Sequence, residues 1–308
     1  MKGLELARAY YESYGRSMIH EQFPTYEARI TVGLVGEGSE CFGFDDDISH
    51  DHDFGPAFCM WLDGNTYDAI GAELLHAYEA LPQSFAGLPV HRDSRIGGHR
   101  VGVWQTGEFY RRFLGKPEGP EALTDWLDLP IDWLATATNG AVFNAGDSGF
   151  MAVRERLLAG YPQDVRIKKM VAAAAHMSQS DQYNFSRCLN RGEYVGAELA
   201  LAEFVRHGMV MIYLINNRYA PYYKWLHRGL KELPELADTH VLFARLASPD
   251  ADYAAKMRII ETVCDRIVQR WRAEGLTHGS DPFLQAHLDS LMAHIEDRAL
   301  RSMHWMRG

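Results

Sequence analysis

The chain is short of cysteine, of basic residues and of long apolar runs, and each shortage removes a class of protein. Its 308 residues include four cysteines, Cys41, Cys59, Cys188 and Cys264, with no Cys-x-x-Cys pair among them. That count argues against a disulfide framework or a zinc knuckle, and reduced thiols are expected. Lys and Arg number 31 against 41 Asp and Glu, a formal net charge of −10. Broad binding to nucleic acid draws on Lys and Arg, so it is not expected, although a local basic groove or a cationic partner stays open. The opening Met1-Lys2-Gly3-Leu4-Glu5 lacks the apolar run of a signal peptide. The apolar run Val210 to Ile215 falls far short of a membrane span. A cytoplasmic protein that does not enter a membrane is the expectation. No Walker A sequence and no Gly-x-Gly-x-x-Gly opening a helix occur, which leaves kinase and dehydrogenase readings without support.

What is present falls into two parts. Residues 3–22 have helical spacing, with Leu6, Tyr10 and Tyr14 aligned ahead of Pro24. Ile30, Val32 and Leu34 then alternate with Arg29, Thr31 and Gly33, a strand that stops at glycines. A second strand is expected from Asp51 to Leu62, with Pro56 marking a bulge or an unpaired edge. Asn65 to Leu81 reads as a helix closed by Pro82, with Asp63-Gly64-Asn65 as the turn before it. Arg100 to Trp104 reads as a third strand, followed by a helix through Glu108 to Leu114. Beyond the loop at 115–121 the pattern turns almost wholly helical. Tyr253, Met257, Ile260, Cys264, Ile267 and Trp271 form one stripe, and Leu284, Leu288, Leu291 and Ile295 another. The expected fold is α+β: a small α/β core with a mixed sheet over residues 1–122, then an all-helical domain over 123–308.

The densest chemistry lies in the first part. Gly36-Glu37-Gly38-Ser39 is followed, after eleven residues, by Asp51-His52-Asp53-Phe54-Gly55-Pro56. On a strand Asp51 and Asp53 face one way, roughly 6–7 Å apart at about 3.3 Å per residue. Two such carboxylates repel each other unless a cation sits between them, and Mg²⁺ takes a few carboxylates together with phosphate oxygens. Gly38 and Ser39 offer backbone N–H groups to a phosphate. Gly55 and Ala57 leave room on the same face, while Phe54, Phe58, Met60 and Leu62 point to the core. Asp45 and Asp47 form a competing Asp-x-Asp pair, without an apolar strand behind it. The bland alternative is an acidic solvated loop over Phe44 to Asp51 beside an ordinary Gly-Ser pair.

Gly38-Ser39 with Asp51-His52-Asp53-Phe54-Gly55-Pro56 resembles the DNA polymerase β-like nucleotidyltransferase superfamily. The closer similarity is to an uncharacterised bacterial branch with a helical domain of unknown function. A second match supports it: Phe185-Ser186-Arg187-Cys188, Gly196-Ala197-Glu198-Leu199, and Arg218-Tyr219-Ala220-Pro221-Tyr222-Tyr223-Lys224-Trp225. The two segments span most of residues 30–230; the last 80 residues match nothing. The resemblance implies that Asp51 and Asp53 hold metal, Mg²⁺ or Mn²⁺, and that Gly38 and Ser39 seat a nucleoside triphosphate. It implies transfer of a nucleoside monophosphate to an unidentified acceptor, with pyrophosphate released. A small-molecule acceptor suits the acidic balance better than RNA. The superfamily has a third carboxylate on a later strand, where this chain reads Val101-Gly102-Val103. Either that strand is misassigned, or Glu108 or Asp132 substitutes, or turnover is weak or lost.

Other residues carry less. Lys224, among Tyr219, Tyr222, Tyr223 and Trp225, is a candidate to neutralise the triphosphate, or a snorkelling lysine whose stem covers a tyrosine. Arg187, Arg218 and Tyr222 are further nucleotide-binding candidates, with surface or helix–helix contacts as the default. The alternation His50-Asp51-His52-Asp53 also suits a metal-dependent phosphohydrolase with His176 and Asp181 as added ligands. A nucleotide-binding regulatory protein that has lost turnover is the remaining alternative.

Overall fold

A computed structural model describes residues 1–50, 54–90 and 99–308, the side chain of His50 excepted. The expected strand start at Asp51, and Asp51, His52 and Asp53 themselves, lie outside the described residues. The chain divides into two compact units: residues 1–120 with 133–159, and residues 121–132 with 160–308.

The first unit opens with α1 (Gly3–Tyr10), a π turn over Tyr11–Gly15, and α2 (Arg16–Gln22). Together they form the helix that the spacing of Leu6, Tyr10 and Tyr14 predicts. A Cβ on Gly15 would meet the Phe58 ring at 2.5 Å, so glycine lets this helix lie against the sheet. Strand β1 (Thr31–Leu34) is followed by β2 (Cys59–Leu62) and α3 (Gly64–Glu79). The α3 N-terminus is capped by Asp63, whose carboxylate accepts from the Thr66 N–H at 3.1 Å. A two-residue ladder, β3 (Ser84–Phe85) and β4 (Leu88–Pro89), precedes β5 (Gly102–Gln105) and α4 (Thr106–Leu114). After α5 (Leu123–Asp128), which belongs to the second unit, the chain returns with α6 (Trp133–Thr138), β6 (Ala141–Asn144) and α7 (Phe150–Leu158).

The sheet runs β5-β2-β1-β6, with β2 and β5 parallel and β1 antiparallel to both of its neighbours. It is the expected mixed sheet. The sequence reading ended the sheet-bearing part at residue 122, whereas residues 133–159 pack with it and β6 closes its edge. Ala141-Val142-Phe143-Asn144 is too short to show an alternation, and pairing with β1 is what makes it a strand. The second strand is also shorter than its pattern suggested. Gly55 and Pro56 form a bend, and the ladder begins only at Cys59, because proline has no N–H to give it.

Strand β2 is buried on both faces. Phe58, Met60 and Leu62 join Tyr10, Ile19, Ile70 and Leu74 of α1, α2 and α3 in one core. Trp61 points the other way, stacked on Phe150 of α7 with centroids 4.0 Å apart and in edge contact with Phe109 of α4 at 5.4 Å. Burial of each such side chain contributes about 1.5–3 kcal/mol.

The second unit is all helical. It holds α5, α8 (Gln163–Met177), a π turn over Ser178–Phe185, α9 (Ser186–Asn190) and α10 (Tyr194–Ile215). Helices α11 (Tyr223–Gly229), α12 (Thr239–Leu246), α13 (Tyr253–Ala273), α14 (Leu288–Ala293) and α15 (Arg298–Ser302) follow. The apolar run ending α10 is buried from Gly208 to Ile215. A Cβ on Gly208 would meet Phe243 at 2.8 Å, so the absence of a side chain brings α12 close. On the α13 stripe Ile260, Cys264, Ile267 and Trp271 are buried, while Tyr253 and Met257 reach solvent. Among the described residues no helix is long and apolar enough to cross a membrane.

Candidate functional site

Strand β1 ends at Leu34, beside the first residues of β2 and β5, because Gly33 pairs with Cys59 and Cys59 with Gly102. The predicted Gly-Ser bend therefore lies at the sheet end where β2 and β5 begin and where β6 also begins, since Leu34 pairs with Ala141. Gly36 (φ 127°) and Gly38 (φ 122°) adopt conformations that favour glycine. At Gly38 a Cβ would fall on the Arg100 guanidinium and the Glu40 carboxylate, so a side chain there would have to push both ends aside as well as strain the backbone.

The bend is clasped from the β6 side. The Gly36 N–H donates to Asn139 Oδ1 (2.9 Å), and Asn139 Nδ2 donates to the Gly36 carbonyl (2.7 Å). Asn139 is held in turn by Arg154 of α7, whose Nη2 donates to the Asn139 carbonyl at 2.9 Å. The Gly140 N–H donates to the Cys41 carbonyl at 2.7 Å. Asn139 was not among the sequence candidates, and its only sequence signal is the Asn-Gly pair ahead of β6. Asn139→Ala is expected to cost about 2 kcal/mol by removing two backbone-directed hydrogen bonds. Urea unfolding would read this as a lower midpoint at unchanged slope; an unchanged midpoint would show that the clasp does not stabilise the bend.

Two guanidiniums face the bend. Arg100 donates to the Glu37 carbonyl and pairs with Glu40 at 2.9 Å, with both side chains largely buried. Arg112 of α4 pairs with the Glu37 carboxylate at 2.6 Å and donates to the His99 carbonyl. Burial pushes the Glu40 carboxyl up, and the Arg100 guanidinium opposes the shift. Among the described residues, neither the Gly38 nor the Ser39 N–H has a hydrogen-bond acceptor. The Phe54 ring and the Glu40 side chain both lie where a Cβ on Gly3 would stand. The bend thus presents backbone donors beside two guanidiniums that are paired with Glu37 and Glu40, and the backbone donors are the chemistry that receives an anion.

The other candidates are placed elsewhere. Asp45, of the competing pair, is buried and accepts from the Gly3 N–H at 2.9 Å, with Lys2 bonded to its carbonyl. It caps α1. Gly102 opens β5 with φ 95°, its would-be Cβ 3.5–3.7 Å from Leu75, His99 and Tyr78. Glu108 lies in the first turn of α4, past the far end of β5, where it is exposed and paired with Arg111. Asp132 belongs to the second unit.

Lys224, Arg187, Arg218 and Tyr222 all belong to the second unit. Lys224 is exposed, its ammonium 5.2 Å from the Trp225 ring centroid. Arg187 lies over Tyr183 at 4.7 Å and donates to its hydroxyl. Arg218 is exposed, and Tyr222 packs against Tyr223 with centroids 4.5 Å apart. His176 stacks on His207 at 4.4 Å, and Asp181 is buried with no hydrogen-bond partner for either oxygen among the described residues. Among the described residues, which exclude Asp51, His52 and Asp53, no three His, Cys, Asp or Glu side chains gather to hold a metal. None of the four cysteines is in a disulfide among the described residues, and burial raises the Cys41 and Cys264 thiols well above their usual range.

Residues 126–226 match the model of a family described as a domain of unknown function, DUF4037. No curated protein matches the chain. Among solved structures, a nucleotidyltransferase-like protein from Exiguobacterium sibiricum is similar at 10% identity. That similarity covers 93% of this chain and 81% of the other, with a TM-score of 0.37.

Proposed function

We propose that the chain is a nucleotidyltransferase, transferring a nucleoside monophosphate from a triphosphate to a hydroxyl or amine acceptor. The observation that carries this reading is the bend at the end of β1. Its Gly38 and Ser39 N–H groups lack acceptors among the described residues, and Arg100 and Arg112 flank it.

The bend's N–H groups bind triphosphate oxygens, and Arg100 and Arg112 hold the chain of phosphates in line. Glu37 and Glu40 keep the two guanidiniums oriented until the ligand arrives. Asp51 and Asp53 are hard oxygen donors, a set that suits Mg²⁺, which when bound offsets the charge that grows on the phosphates. The acceptor oxygen or nitrogen attacks the α-phosphorus, the bond to the bridging oxygen breaks, and pyrophosphate leaves. The protein's contribution is positioning and electrostatics. Asp51→Asn and Asp53→Asn are each expected to lower pyrophosphate release at least 100-fold over a panel of triphosphates and acceptors. Full activity in either variant removes that carboxylate from the mechanism.

A second reading, a nucleotide-binding protein without turnover, draws on Gly102 in β5 and on Glu108 paired with Arg111 away from the bend. Calorimetry separates the two. Mg²⁺-dependent triphosphate binding without pyrophosphate release, under every acceptor, favours the binder.

A further inference from the structure

The second unit contains a cationic cavity that the nucleotidyltransferase reading does not use. It measures about 440 Å³ and is lined by Lys169, His176, Arg206, His207, Arg307 and Asp128, among others. Its lining side chains include two arginines and a lysine against one carboxylate, and Val210 and Leu214 give it an apolar floor. We propose that this cavity is a binding site for the phosphoryl group of a small phosphorylated ligand.

The cations reach it from three directions, and each is fixed. Lys169 of α8 is 5% exposed and donates to the Leu127 carbonyl of α5 at 2.9 Å. One bond leaves two of its three ammonium protons for a ligand. Its neighbour Lys168 is fully buried and donates to the carbonyls of His304 (3.0 Å), Trp305 (3.1 Å) and Arg307. That clamp pins the segment carrying Arg307, which pairs with Asp128 at 3.0 Å. From α10 come Arg206 and His207, with Arg206 Nη2 3.0 Å from His207 Nε2. His207 stacks on His176 of α8, ring centroids 4.4 Å apart and planes within 5° of parallel. Glu203, one turn earlier on α10, holds Arg206 at 3.3 Å and His207 at 3.2 Å.

Burial and neighbouring charge hold two of these groups away from their ordinary titration. Burial, Arg206 and His176 together push His207 down to about 4, against the pull of Glu203. Burial pushes Lys169 down to about 8, with Asp128 opposing. The buried Lys169 ammonium gains when a dianion enters, because it supplies the charge and acceptors that the apolar floor cannot. Two guanidinium forks and an ammonium suit the tetrahedral oxygens of a phosphate better than a single carboxylate. The site stands independently of the bend in the first unit.

Calorimetric titration of the full chain with inorganic phosphate and with phenyl phosphate tests the proposal. Saturable binding of at least one probe is expected, weakened tenfold or more by Arg206→Gln and by Lys169→Met and unchanged in Arg272→Gln, an exposed arginine of α13 outside the cavity. Arg206 is half exposed, so its variant keeps the fold if the lysine variant does not. Binding that survives Arg206→Gln undiminished, or that falls as far in Arg272→Gln, overturns the site. So does no binding of either probe at millimolar concentration.

Discussion

Asp181→Asn is expected to stabilise the chain at pH 7 and to flatten its pH dependence. Asp181 sits in the π turn after α8, 4% exposed, with no hydrogen-bond partner for either carboxylate oxygen among the described residues. Burial pushes its carboxyl up to about 8; Glu198 adds to the shift and Lys256 opposes it. The sign follows from proton counting. Between the unfolded value near 4 and the folded value near 8, the native state binds a proton that the unfolded chain has released. Stability from this group is therefore complete below about pH 4, falls as pH rises, and levels off above about pH 8. At about 1.4 kcal/mol per unit, the loss by pH 7 is roughly 4 kcal/mol. Asparagine keeps the shape without the titration, so a gain of about 2–4 kcal/mol is expected at pH 7 and almost none at pH 4.5. Urea unfolding at both pH values measures it. Parallel pH profiles for the two proteins would show that Asp181 does not hold a proton in the native state.

Gly38→Val carries the second large effect. The backbone at φ 122° is closed to a β-branched residue, and its Cβ would displace the Arg100 guanidinium and the Glu40 carboxylate. That pair is largely buried, at 10% and 14% exposed, so swinging its two ends aside adds to the backbone strain. Gly43→Val supplies the comparison: it shares a positive φ of 72° but has nothing within 4 Å of a Cβ. Backbone strain alone, about 1–2 kcal/mol, is expected there. Under the proposed function Gly38→Val also abolishes triphosphate binding, whereas Gly43→Val leaves it intact. Equal unfolding midpoints for the two variants would mean that the bend tolerates a side chain, and the argument for its close packing would fall.

The legible and illegible parts of this chain differ in a consistent way. Leu6 and Tyr10 announced the first helix, Val32 and Leu34 the first strand, and Ile260, Cys264, Ile267 and Trp271 the buried stripe of α13. In each case the signal is a period within one segment. Strand β6 gave none, since four residues of mixed character become a strand only when β1 lies beside them. Pro56 marked an irregularity correctly, yet the apolar run around it was read as a strand longer than the ladder it forms. At the bend, the pattern singled out Gly38 and Ser39 but not Arg100, Arg112 or Asn139. An arginine or asparagine on a helix or loop looks alike in sequence whether it faces solvent or a partner.

The sequence by itself determined the segment types, the absence of a long apolar helix among the described residues, and the positions where only glycine serves. These are local properties, set by side-chain period and backbone sterics over a few residues. Only the tertiary structure decided that residues 133–159 return to the sheet and that Asn139 clasps Gly36 from 103 positions away. It also decided that Lys169, Arg206 and Arg307 share one cavity, and that Asp181 is shut away from water. Such pairings depend on which distant segments pack together, and burial then turns an ordinary charge into a large energetic term.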